Sequence, residues 1–209
     1  MYDALLFDLD GTLIDTESLA LASGMAAFAA AGFPVAEAFL HGLIGKDQPT
    51  AGRIIRATLP ALDLAVLNAH WRAGFNQRLD LGLPLKPGAI DLLGLTANLP
   101  CALVTSSARS EAIHKLAIAG LSEAFSQLIT LDDVTHPKPD PYPYLLAAER
   151  LGVAPHRCLV FEDSETGAEA AHRAGCRVVQ VPDLVPATGR WAHHVAADLM
   201  SGARLAGLI

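Results

Sequence analysis

Two carboxylates stand two positions apart where an apolar run ends: Ala4-Leu5-Leu6-Phe7 leads into Asp8-Leu9-Asp10-Gly11-Thr12. At that spacing on an extended chain both point to one side, and an apolar run gives no reason for either charge. A divalent cation would supply one, because magnesium takes hard oxygen ligands, typically one or two carboxylates with waters and a substrate phosphate. Asp10-Gly11 alone is also an ordinary turn signal. Leu103-Val104-Thr105-Ser106-Ser107 offers hydroxyls and N–H groups at a helix start, suited to an oxyanion and equally to plain helix capping. Lys138 stands among Pro137, Pro139, Pro141 and Pro143; these restrict the backbone around an ammonium that otherwise reads as solvated surface. Phe161-Glu162-Asp163-Ser164 ends another apolar run in acids, which can bind a cation or cap the next helix.

The elements that must position these groups alternate. Strand-like runs are Ala4 to Phe7, Cys101 to Val104, Gln127 to Ile129, Cys158 to Phe161 and Arg177 to Val181. Helical patterns follow over Ser110 to Ala119, Tyr144 to Leu151 and Ser164 to Ala174, with Gly120, Gly152 and Gly175 placed to close them. Such alternation predicts an α/β fold with a doubly wound, mainly parallel sheet and a ligand site at the carboxyl ends of its strands. Acid pair, hydroxyl, lysine and acid pair at successive strand ends would then converge in one cleft.

Residues 16–82 interrupt this order with several helical patterns, and the next strand is announced only after Leu83-Pro84-Leu85-Lys86-Pro87-Gly88. The reading is a core domain of 1–15 and 83–209 with a helical insertion at 16–82. The uncharged run from Ser18 to Ala36 approaches a membrane span in length, but Asp15 and Glu17 precede it, and Gly24, Gly32 and Pro34 interrupt it. A buried helix with Thr16 near its start, stopped by Gly32 and Pro34, is expected instead.

With 209 residues, 52% of them hydrophobic, the chain has ample material for a core. A net charge of −7 without a basic run disfavours nucleic acid. The three cysteines, Cys101, Cys158 and Cys176, read as reduced core thiols. No nucleic acid, no membrane, a cytoplasmic setting and a monomer are expected. No role falls to His41, His70, His114, His136, His172 or the His193-His194 pair, which lack metal-ligand company.

FDLDGTLIDTE at Phe7 to Glu17, VTSS at Val104 to Ser107, KPDPYPY at Lys138 to Tyr144 and FEDSETG at Phe161 to Gly167 resemble the four motifs, in order, of the haloacid dehalogenase superfamily. The likeness is specifically to its phosphatase and phosphomutase branch, which has a Rossmann-like core and a small α-helical cap after the first motif. Pro137 stands where many members have Gly. The resemblance implies Asp8 as a nucleophile that forms an aspartyl-phosphate, with Asp10 as acid and then base. It implies Mg2+ held by Asp8, the Asp10 carbonyl and Asp163, with Glu162 touching it directly or through water. Thr105, the Ser106 N–H and Lys138 would grip the phosphoryl oxygens. Two acids this close do not both ionise cheaply, which would let Asp10 hold a proton while Asp8 stays charged.

The dehalogenases of the superfamily lack the second Asp, so Asp10 and the Glu162-Asp163 pair favour phosphorus chemistry. A β-phosphoglucomutase would carry a cap histidine near position 20 and an arginine near 48, whereas this chain has Ala20 and Gln48. Hydrolysis of a small phosphorylated metabolite, a sugar phosphate or a phosphoglycolate-like compound, is therefore expected ahead of a mutase. A phosphonate hydrolase and a non-catalytic magnesium- and phosphate-binding protein stand further behind. Glu17, Lys46, Arg53, Arg72 and Asn76 are the polar cap residues expected to contact substrate.

Overall fold

A computed structural model describes residues 1–43 and 48–209. The chain divides into two compact units, one of Met1–Asp15 with Pro84–Ile209 and one of Thr16–Leu83.

The first unit is built on β1 (Ala4–Phe7), β2 (Cys101–Val104), β3 (Gln127–Ile129), β4 (Cys158–Glu162), β5 (Arg177–Gln180) and β6 (His194–Val195). They lie in the order β3-β2-β1-β4-β5-β6, and every pairing is parallel. This is the doubly wound arrangement, with strand order reversing on either side of β1. The central strands read as unbroken apolar runs because both faces are covered, and β1, β2 and β4 are buried at every residue. Phe7 and Phe161, register partners, stack with ring centroids 5.2 Å apart.

Register also sets the site. Phe7 pairs with Leu103 on one side and Phe161 on the other. The next residues, Asp8, Val104 and Glu162, therefore form one row where the strands end. Helices α5 (Ala89–Leu95), α6 (Arg109–Ile118), α7 (Tyr142–Leu151), α8 (Glu165–Arg173) and α9 (Leu199–Leu205) complete the unit, numbered after the four of the second unit. Ser164 caps α8 by accepting from the Gly167 N–H, and Asp198 caps α9. Gly120, Gly152 and Gly175 all take a left-handed φ just beyond α6, α7 and α8. Cys101, Cys158 and Cys176 are buried and free.

The second unit contains α1 (Thr16–Ala30), α2 (Glu37–His41), α3 (Gln48–Thr58) and α4 (Leu64–Leu81). Its small core joins Ala27, Phe28, Leu40, Leu43, Ile55, Leu62 and Leu67. The Phe28 ring meets Phe39 and Trp71 edge-on, and Trp71 Nε1 donates to the Ala20 carbonyl at 3.0 Å. Helix α1 buries Thr16, Ser23, Gly24, Ala27 and Phe28, a stripe at helical spacing. It ends at Ala30, where Gly32 turns with φ +83 ahead of Pro34, at the stop expected from the sequence. Among the described residues, no helix is long and apolar enough to cross a membrane.

Candidate active site

The row at the strand ends is tied together by one ammonium. Lys138 Nζ donates to Asp8 Oδ1 at 2.7 Å, to the Val104 carbonyl at 2.8 Å and to Glu162 Oε1 at 2.6 Å. Its side chain is only 6% exposed. The proline-rich segment that carries it, whose Lys138–Pro139 bond is cis, delivers it from outside the sheet across the ends of β1, β2 and β4.

Glu162 is fully buried, and each of its oxygens is engaged. Oε1 accepts from Lys138 and from the Tyr144 hydroxyl at 2.6 Å, while Oε2 accepts from Ser164 Oγ at 3.1 Å. Helix α8 passes so close that a Cβ on Gly167 would overlap the Glu162 carboxylate. Burial and the negative charges of Glu162 and Asp8 hold the Tyr144 phenol well above its ordinary range, so it acts as a donor.

Burial pushes the Asp8 carboxyl up to about 7, against the opposing pull of Lys138 and with Glu162 adding to the rise. The same two carboxylates raise Lys138 in spite of its burial. Asp8, Glu162 and Asp163 each offer an oxygen, all within 4.8 Å of one another. Burial first, and the neighbouring Glu162 charge after it, make Asp8 hold its proton more tightly. A hard divalent cation opposes this, and an all-oxygen donor set suits magnesium. The residues therefore fit a metal.

Asp10 is arranged otherwise. Lys115 in α6 donates to its Oδ1 at 2.7 Å and its Oδ2 at 2.9 Å, and Ser107 Oγ donates to Oδ2 at 2.9 Å. Both acids sit in ion pairs, Asp8 with Lys138 and Asp10 with Lys115, and their side chains are 10% and 31% exposed. Gly11, with φ +84, turns the chain between them and the next helix. A Cβ there would stand 2.5 Å from Asp163 Oδ2, so glycine keeps the approach to that carboxylate open.

Thr105 is buried, and its Oγ1 accepts from the Ser107 N–H at 3.1 Å, which leaves its hydroxyl hydrogen to donate; Ser106 is exposed. Of the residues expected to act, Asp8, Lys138 and Glu162 meet directly, Asp163 joins the carboxylate group, and Thr105 and Ser106 follow β2. Glu17, Arg53, Arg72 and Asn76 belong to the second unit. Glu17 is partly buried in α1, Arg53 donates to Thr50 Oγ1 at 2.9 Å, and Arg72 and Asn76 are exposed on α4. Lys46 lies outside the described residues.

Sequence reasoning assigned no role to Lys115, Ser107 or Tyr144. Tyr144 lay inside the third motif without a function. Lys115 lies in α6, eight residues beyond Ser107, and its Nζ also donates to Ser107 Oγ at 3.0 Å.

A family model for haloacid dehalogenase-like hydrolases matches residues 2–175. A phosphorylated carbohydrates phosphatase from Thermotoga maritima is 33% identical over 177 residues, covering 83% of this chain and 82% of its own. Hexitol phosphatase A from Escherichia coli is 35% identical over 181 residues, 84% of this chain and 81% of that one. A solved Thermotoga maritima structure, provisionally named a β-phosphoglucomutase, superposes with a TM-score of 0.85 at 28% identity, over 99% of this chain and 100% of the other.

Proposed function

The chain belongs to the haloacid dehalogenase-like hydrolase family, and on that premise we propose that it is a magnesium-dependent phosphatase of small phosphorylated carbohydrates. The observation that carries the reading is the buried Asp8–Lys138–Glu162 network with Asp163 beside it.

Asp8 attacks phosphorus and the bond to the leaving alkoxide breaks, giving an aspartyl-phosphate; the split into two displacements lowers each barrier. Asp10 protonates the departing oxygen. In the second half Asp10 takes a proton from water, the water oxygen attacks phosphorus, and Asp8 is released with inorganic phosphate. Lys138, Thr105 Oγ1 and the Ser106 N–H stabilise the phosphoryl oxygens, where a well-placed donor contributes about 3 kcal/mol to the transition state. Magnesium, held by Asp8, Asp163 and the Asp10 carbonyl, would neutralise phosphoryl charge. Glu162, already accepting from Lys138, Tyr144 and Ser164, holds Lys138 and would help hold the cation, directly or through water.

Carbohydrate-type substrates are supported by the names of the relatives. Hydrolysis rather than transfer is supported by Ala20, whose methyl group supplies no acid or base. The second unit would provide the specificity contacts, with Glu17 and Lys46 as its substrate-binding residues. The reading is tested by phosphate release from hexose, hexitol and glycolate phosphates with and without Mg2+. Turnover that requires the metal and is abolished in Asp8→Asn supports it; turnover that survives Asp8→Asn refutes it.

A further inference from the structure

Lys86 and Asp183 lie outside all four motifs and are 97 positions apart, yet Lys86 Nζ donates to Asp183 Oδ1 at 2.7 Å. Their side chains are 18% and 9% exposed. The second Asp183 oxygen, Oδ2, is buried and has no hydrogen-bond partner among the described residues. A buried anionic oxygen without a donor is unfavourable, and the ion pair with Lys86 satisfies only the other one. Asp183 Oδ2 faces a definite place. A Cβ built on Gly11 would stand 3.4 Å from it and 2.5 Å from Asp163 Oδ2. The two carboxylates thus look onto the same spot beside the glycine that follows Asp10. Asp183 is not one of the three acids whose oxygens cluster within 4.8 Å, so it stands one layer outside them.

Magnesium gives up its waters reluctantly and usually keeps several, each a strong donor. Acceptors that orient such ligands are part of how a site holds its metal. We infer that Asp183 is a positioning residue: its Oδ2 accepts a hydrogen bond from a water on the cation held by Asp8 and Asp163, and Lys86 fixes its carboxylate through Oδ1. This rests on the metal reading proposed above.

The test titrates MgCl2 into the metal-free full chain by calorimetry and follows melting with EDTA or Mg2+. Asp183→Asn keeps the shape. Its amide oxygen can still accept from Lys86, while its NH2 presents hydrogens where an acceptor is required. The expected result is Mg2+ affinity weakened about tenfold to a hundredfold, an EDTA melting temperature close to wild type, and a smaller Mg2+-induced rise. Lys86→Met weakens Mg2+ binding in the same direction. Mg2+ affinity unchanged in both variants overturns the inference and leaves the metal reading standing, as does an equal loss of melting temperature with and without Mg2+. Wild type that binds no Mg2+ overturns both.

Discussion

Lys115 brings its ammonium to both carboxylate oxygens of Asp10, at 2.7 and 2.9 Å, from a helix that begins after the second strand. Asp10 thereby has a cation of its own, with Ser107 as a third member. The two carboxylates, two positions apart in the chain, are paired with different lysines.

Lys115→Met is expected to lower kcat about tenfold to a hundredfold, the scale on which a misplaced reacting group slows a reaction, with KM nearly unchanged. Steady-state kinetics at saturating Mg2+ measure it. A kcat equal to wild type would reduce the Lys115–Asp10 pair to a surface contact.

Lys138→Met should be far more damaging than Tyr144→Phe. The first leaves Asp8 and Glu162 buried without their ammonium, and breaking a buried pair costs about 3–5 kcal/mol. The second removes one donor from a carboxylate that keeps those of Lys138 and Ser164, a loss of about 1.5–3 kcal/mol. Urea unfolding at pH 7 in EDTA gives both values, and the reverse ranking would contradict the geometry.

Gly167→Ala carries the consequence of close packing. The added methyl would occupy space held by the Glu162 carboxylate, so the helix or the acid must shift. Overpacking of this kind costs roughly 1–3 kcal/mol, and the network around Lys138 would loosen with it. Urea unfolding reads the first effect and phosphatase turnover the second.

Burial raises Asp8 to about 7, above the ordinary carboxylate value of 3.8. A native state that binds its proton more tightly than the unfolded chain gains most stability from that group at low pH and loses the gain as pH rises from about 4 to 7. In EDTA, the stability of wild type relative to Asp8→Asn should therefore fall between pH 5 and 7. Mg2+ must displace that proton, so its affinity should climb over the same interval. Calorimetry at pH 5.5 and 7.5 checks this; equal affinities would place Asp8 off the metal.

The sheet was legible because parallel strands buried on both faces are written as apolar runs, and β1 and β2 begin and end where those runs do. Polar groups that end such runs, Asp8, Thr105 and Glu162, stood out for the same reason. The edge strand His194–Val195 did not, since two half-exposed residues leave no periodic signal. Lys115 was hidden because a lysine on a helix ordinarily faces water, and only the path of α6 shows it turned to Asp10. Lys86 and Asp183 were beyond reach, because their pairing depends on where two loops of the same unit end in space. Tyr144 is read as a donor only once Glu162 is seen beneath it.

The most direct test of the central claim is to trap the covalent intermediate. Enzyme turning over a hexose or hexitol phosphate with Mg2+ is quenched in acid, reduced with borohydride and digested, and the peptides are analysed by mass spectrometry. The account predicts reduction to homoserine at position 8 and nowhere else, dependent on substrate. Active turnover with residue 8 unmodified, or with the modification at Asp10 or Asp163, would contradict it.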